Sequence, residues 1–175
     1  MSAVRRAAEP GRPSAAEGDG VTDVEIRVRP TLTDGQLNAL FAAAWPAHAH
    51  RAWGPVLARS AAYVGAFHAD RLIGFVNVAG DGGAHAFLLD PTVHPAHRRQ
   101  GVGLALVRRA AELARAAGAE WLHVDHEPHL AAFYAAAGFR PSAAGVLRLS
   151  ESPTADRVPP PDVASQPTRP RTRPR

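Results

Sequence analysis

The chain has 175 residues, a formal net charge of +4 and no cysteine, and all 20 of its basic residues are arginine. Disulfides, thiolate metal ligands and cysteine nucleophiles are therefore excluded, and so is a P-loop, which needs a lysine. Residues 21–150 are close to balanced in charge, so nucleic acid is not expected as a main partner. No run of eighteen apolar residues occurs and Met1–Gly20 lacks an apolar signal core, so a cytoplasmic protein with no membrane contact is expected.

Residues 1–20 mix Ala, Gly, Pro, Arg and Glu without periodicity and read as a disordered leader. Val24-Glu25-Ile26-Arg27-Val28 alternates apolar and charged, the pattern of a half-exposed edge strand, and Pro30 ends it. Thr33 caps a helix reaching Trp45, with Leu37, Leu40, Phe41 and Ala44 on one face and Pro46 as its stop. Ala47–Arg59, with His48, His50, Trp53 and a Gly54-Pro55 break, predicts an irregular loop and a short helix. Ala61–Phe67 and Leu72–Val78 predict a buried hairpin turning at His68–Arg71. Asn77 is its polar exception and is expected to hydrogen-bond within the sheet. After the Gly80–Gly83 turn, Ala84–Leu89 is a further strand.

The run from Asp90 to Gly103 then reads as a loop feeding a helix with Val102, Leu106, Ala110, Leu113 and Ala117 on its apolar face, closed by Gly118. Glu112 is spaced to pair with Arg108 and Arg115. Trp121–Asp125 predicts a short strand, and Pro128 opens a helix carrying Leu130, Phe133, Tyr134 and Ala137 that Gly138 ends. Phe139–Leu149 is expected to close the sheet with one or two strands. Residues 151–175, rich in proline with Arg169, Arg171, Arg173 and Arg175, read as a disordered basic tail. Residues 21–150 are left as one domain.

Arg98-Arg99-Gln100-Gly101-Val102-Gly103 joins strand to helix without side chains at Gly101 and Gly103, so a bound group can approach the backbone there. The first turn of a helix presents unpaired N–H groups and the positive end of the helix dipole, a setting that suits a phosphate. This stretch resembles the acetyl-CoA loop of the Gcn5-related N-acetyltransferase (GNAT) family, whose pattern is Gln/Arg, two residues, Gly, one residue, Gly/Ala. Arg98, Gly101 and Gly103 fill it. The resemblance runs from about Val24 to Leu149 and includes Val93-His94-Pro95 and Phe133-Tyr134-Ala135-Ala136-Ala137-Gly138-Phe139.

The resemblance implies a mixed α/β fold, with a mostly antiparallel sheet of six to seven strands flanked by about four helices. It implies acetyl-CoA as cosubstrate, held by Val93, Arg98, Arg99, Gln100, Gly101, Val102, Gly103 and Leu104, and an amine acceptor, with the protein a monomer or homodimer. It also places Tyr134 where a tyrosine commonly protonates the departing sulfur. On the residues alone, a phenol on an apolar helical face fits a core side chain as well as an acid.

The base is open between His85, an imidazole on the strand before the loop, and Glu127, seven residues before Tyr134 where the family often has Asn; N-capping is the other use for that carboxylate. Asp90 and Asp125 are lesser candidates. Pro91 has no N–H to give an oxyanion, a departure from the family. His123, His126 and His129 pass from strand to helix, so a metal site is not expected. A non-catalytic acyl-CoA sensor and a protein-modifying acetyltransferase are the alternatives.

Overall fold

The computed structural model describes residues 23–149, so the expected leader, 1–20, and tail, 151–175, lie outside the described residues. Strands β1 (Val24–Val28), β2 (Ala62–His68), β3 (Arg71–Gly80), β4 (His85–Val93) and β5 (Trp121–His123) form one sheet in sequence order. The first four are antiparallel to their neighbours, whereas β5 joins β4 in parallel. A parallel neighbour needs a crossover, which α3 (Val102–Ala116) supplies. Helices α1 (Asp34–Ala44) and α2 (Gly54–Arg59) lie between β1 and β2 in sequence, and α4 (Ala131–Ala136) follows a 3₁₀ turn, Pro128–Leu130.

Local chemistry explains these boundaries. Thr33 and Gln36 form a reciprocal capping box at the start of α1, satisfying two N–H groups that the first turn would otherwise leave open. The β2–β3 hairpin turns on Ala69 and Asp70, both at positive φ, the geometry whose twist matches a two-residue hairpin. Gly118 and Gly138 follow α3 and α4 at φ +96° and +97°, where a side chain would be strained.

Alternate residues of β3 feed two apolar clusters. Val76 and Val78 pack with Val64, Leu88 and the Val102, Leu106, Val107 and Ala110 face of α3. Phe75 packs with Leu37, Leu40, Phe41 and Trp53, so α1 and the segment after it are tied to the sheet by burial of about 1.5–3 kcal/mol per large apolar side chain.

Three features differ from the sequence reading. β4 continues past Leu89 to Val93 by a bulge: Thr92 faces Phe75 and Leu89 faces Asn77, so Asp90 and Pro91 stand against Val76 alone. A bulge interrupts the ladder, which is why Pro91 is tolerated there without an N–H. Glu112 pairs with Arg109 at 2.7 Å instead of Arg108 or Arg115, while Arg108 reaches the Ala136 carbonyl. Finally, residues 141–149, which belong to a separate compact unit, contain no helix or strand, and Val146, Leu147 and Leu149 are exposed. Pro141 and the small residues Ala143, Ala144 and Gly145 have low strand propensity. The described sheet thus has five strands in place of six to seven.

Candidate active site

The β4–α3 junction is built around Gly101. It caps α3 at φ +81° with nothing within 4 Å of an added Cβ, so it is conformationally required and open on its outer side. The backbone N–H groups from Arg99 to Leu104 have no acceptor among the described residues. Val102 is buried in the core, leaving its backbone as the part free to act.

Gly103 serves packing as well, because a Cβ would come within 3.4 Å of the Phe133 ring. Arg98 is committed locally: its Nε donates to the Val93 carbonyl and its guanidinium to the Ala44 carbonyl. Arg98 therefore ties β4 to α1, and Arg99, exposed at φ +64°, is the freer cation. Gln100 donates to the Ala96 carbonyl, and Leu104 is half-buried in the first turn of α3. Burial, then the positive charges of Arg71, His97 and Arg98, hold the His94 imidazole below its ordinary pKa. Unpaired amides within a cationic loop are the donor set that a pyrophosphate matches.

A second wall comes from the α1–α2 segment. Asn38, buried on α1, accepts from His48 Nε2 (2.9 Å), the Arg51 N–H (3.2 Å) and Trp53 Nε1 (3.3 Å), and donates to the Arg51 carbonyl (2.9 Å). Its oxygen acts as acceptor, so His48 carries its proton on Nε2. Trp53 is fully buried under Arg51, whose guanidinium lies 3.8 Å from its ring centroid. Trp45 Nε1 donates to Thr92 Oγ1, whose hydroxyl donates to the Asp90 carbonyl. Thus Thr92, at the bulge, is held by the α1 terminus.

Asp90 has φ +56°, a left-handed conformation that costs a non-glycine residue about 1 kcal/mol or more. Burial raises its carboxyl above the ordinary range, and Arg51 and the Asn77 amide pull against that rise. Arg51 approaches to 3.7 Å. Asn77 is 3% exposed and its Oδ1 has no hydrogen-bond partner, so the expectation that this amide is satisfied within the sheet does not hold for its oxygen.

Tyr134 is buried among Phe133, Phe139 and a stacked His126 whose ring lies 4.7 Å away. Burial pushes its phenol up from the usual value, and the hydroxyl makes no hydrogen bond among the described residues. His126 Nδ1 donates to the Glu127 carbonyl. Glu127 is exposed and does not cap the turn it precedes, which removes N-capping as its use. His85 lies where β4 and β5 pair, with its Nδ1 2.8 Å from His123 Nε2. No hydrogen bond or ring contact joins His85 to Tyr134.

The sequence reading missed His123 as the partner of His85, because the two are offset by two positions in the β4–β5 register, His85 facing Trp121 and His123 facing Phe87. It also ranked Asp90 low, because a bulge is not visible in composition. Among the described residues no three His, Asp or Glu side chains gather as a metal site; His123 turns to His85 and His126 to Tyr134.

An antiparallel sheet extended by one parallel strand, with an anion-receptive loop where β4 enters α3, defines an acetyltransferase fold. The chain belongs to the acetyltransferase (GNAT) family, whose model matches residues 33–139. It is similar in structure to a GNAT family acetyltransferase from Streptococcus pneumoniae TIGR4, at 21% identity, TM-score 0.64, and 74% of this chain over 99% of that one. A putative acetyltransferase from Deinococcus radiodurans R1 is 26% identical, with TM-score 0.63, and the match covers 75% of this chain and 92% of that chain. An aminoglycoside N-acetyltransferase in complex with CoA shares 19% identity at TM-score 0.57, over 71% and 93% of the two chains. No curated protein matches the sequence significantly. No helix among the described residues is long and apolar enough to cross a membrane.

Proposed function

We propose that this protein transfers an acetyl group from acetyl-CoA to a primary amine of a small molecule, with Tyr134 as general acid. The observation that carries this reading is the β4–α3 loop, whose free N–H groups from Arg99 to Leu104 surround a left-handed, unobstructed Gly101. Arg99 supplies charge, Gly101 and Gly103 the close approach, and the Val93 end of β4 the strand edge, with Arg98 and Gln100 shaping the turn. The CoA complex of a structural neighbour and that neighbour's small-molecule acceptor support the choice of ligands.

When bound, acetyl-CoA supplies an activated acetyl group as a thioester. Tyr134 keeps its proton at neutral pH, as an ordinary phenol does, and burial disfavours phenolate further; its hydroxyl donates that proton to the departing sulfur. The amine gives up one proton as its nitrogen bonds to the acetyl carbon, so a proton passes overall from amine to thiol. His85, with Nδ1 held by His123 and Nε2 outside that bond, takes the proton from the amine; Glu127, whose carboxylate is uncommitted, is the competing acceptor. Thr92 offers a hydroxyl near the bulge where Pro91 has no N–H.

Calorimetric titration with acetyl-CoA is expected to saturate in the wild type and to fail in Gly101→Glu, which places a strained, like-charged side chain among the phosphate donors. Thiol release with a panel of amines then tests transfer. An acetyl-CoA titration that shows no binding would overturn the reading, and binding without thiol release from any amine would leave acyl-CoA sensing as the function.

A further inference from the structure

Between α2 and the β3–β4 pair lies a pocket of about 280 Å³, walled by Pro55, Val56, Ala79 and Leu89, with Arg59 and Asn77 among its polar members. Its volume is just below the ~300–1,000 Å³ of drug-sized sites, so its occupant is small. Most of the wall is aliphatic, which favours an apolar body over a heavily hydroxylated one.

The polar end of this pocket, Asn77, and the Asp90 beside it are costly to the fold in three ways. Asn77, 3% exposed, keeps an unpartnered Oδ1, which has given up its hydration without a hydrogen bond in return. Asn77 sits opposite Leu89 in the ladder, and the next residue, Asp90, holds a left-handed backbone at the bulge. The Asp90 carboxyl is itself desolvated, with Asn77 and Arg51 as its partners. A purely structural Asn–Asp contact would not leave the amide oxygen open. Costs of this kind gather where a ligand offsets them.

We propose that this pocket is the acceptor site and takes a primary ammonium carried on a short apolar body. The body lies against Pro55, Val56, Ala79 and Leu89, and the ammonium is held by Asn77 Oδ1, with the Asp90 carboxyl beside that amide but not itself part of the wall. The amide oxygen accepts a hydrogen bond and an ammonium brings three donors, while the Asp90 carboxyl behind the amide, which Arg51 approaches to 3.7 Å, adds negative charge on that side. Arg59, at the pocket wall, opposes a second positive charge, so monoamines are preferred over polyamines. This inference rests on the amine acetylation proposed above and narrows its acceptor.

The probe is 2-phenylethylamine, with spermine and 2-phenylethanol as comparisons, and binding is followed by ligand-observed NMR in the presence of CoA. Saturable binding of 2-phenylethylamine, with both comparisons weaker by about tenfold or more, is expected from one charged hydrogen-bonding group. Ala79→Phe, which fills the pocket without touching the polar pair, should weaken the amine to a similar degree, as should Asp90→Asn, while acetyl-CoA affinity stays constant. If Ala79→Phe does not fold, Leu89→Arg at a half-exposed position tests the same wall by repelling the ammonium. A wild type that binds none of the monoamine, or a folded Ala79→Phe or Leu89→Arg that binds it as the wild type does, overturns the proposal. Failure of acetyl transfer itself reads differently, as amine binding without thiol release.

Discussion

Tyr134 places its ring in the core and leaves its hydroxyl outside the fold's hydrogen bonds, so the two parts of the side chain are separable by mutation. Tyr134→Phe retains the contacts to His126, Phe133 and Phe139, and thermal stability should change little. Turnover should fall roughly a hundredfold or more, the scale of one general acid, with acetyl-CoA affinity intact. Wild-type kcat in this variant would assign the tyrosine to the core alone. The competing bases separate by the same method, since His85→Ala and Glu127→Gln should differ in the acidic limb of the kcat/KM profile.

Asp90 makes a prediction about stability. Burial, its largest influence, raises the native pKa above the ordinary 3.8, so the native state holds this proton more tightly than the unfolded chain does. The group's stabilising contribution is complete below 3.8 and is lost as pH rises through the native value. Asn tolerates the same left-handed backbone. Asp90→Asn should therefore raise Tm relative to wild type near neutral pH, with the advantage shrinking toward pH 4; an advantage that does not vary with pH would contradict the assignment.

At the scale of elements, the segment between α1 and α2 is held by two α1 side chains, Asp34, which accepts from the Trp53 N–H at 2.8 Å, and above all Asn38. Asn38 joins His48, Arg51 and Trp53 through four hydrogen bonds, as acceptor in three and donor in one. Asn38→Leu should cost about 2–4 kcal/mol, measured by urea unfolding, by leaving buried groups unpaired. It should also raise KM for the amine more than for acetyl-CoA, because the loosened segment leads into α2 at the pocket wall.

This dependence was not legible in the sequence. Thr33, the α1 face, the Gly118 and Gly138 caps and the β1 alternation were legible, because each is set by residues within a turn or two. The role of Asn38 depends on partners 10 to 15 residues away in sequence, and local periodicity shows it only as a polar residue beside an apolar stripe. The β4 bulge escaped for a similar reason: Asp90-Pro91 looks like a strand end until the register with Phe75 and Asn77 is known. The anion loop was the most readable part of the candidate site, since its function is carried by backbone and glycine, which sequence states directly.

For the whole molecule, the notable asymmetry is in how the strands are fastened. β2 and β3 are paired along seven positions and covered by both apolar clusters, while β4 and β5 are paired only from His85 to Phe87 and from Trp121 to His123. Trp121, Phe87 and Leu89 remain substantially exposed beside that short junction. Native-state amide exchange should therefore divide the protein: the amides of Val64 and Val76 should exchange only by global unfolding, whereas those of Leu122 and His123 should exchange through a cheaper, local opening. Such breathing would part β5 from β4 beside the His85–His123 bond without melting the rest of the sheet. Ligand added to the adjoining site should slow exchange at Leu122 and His123 first, so the junction would report occupancy before any change in global stability is measurable.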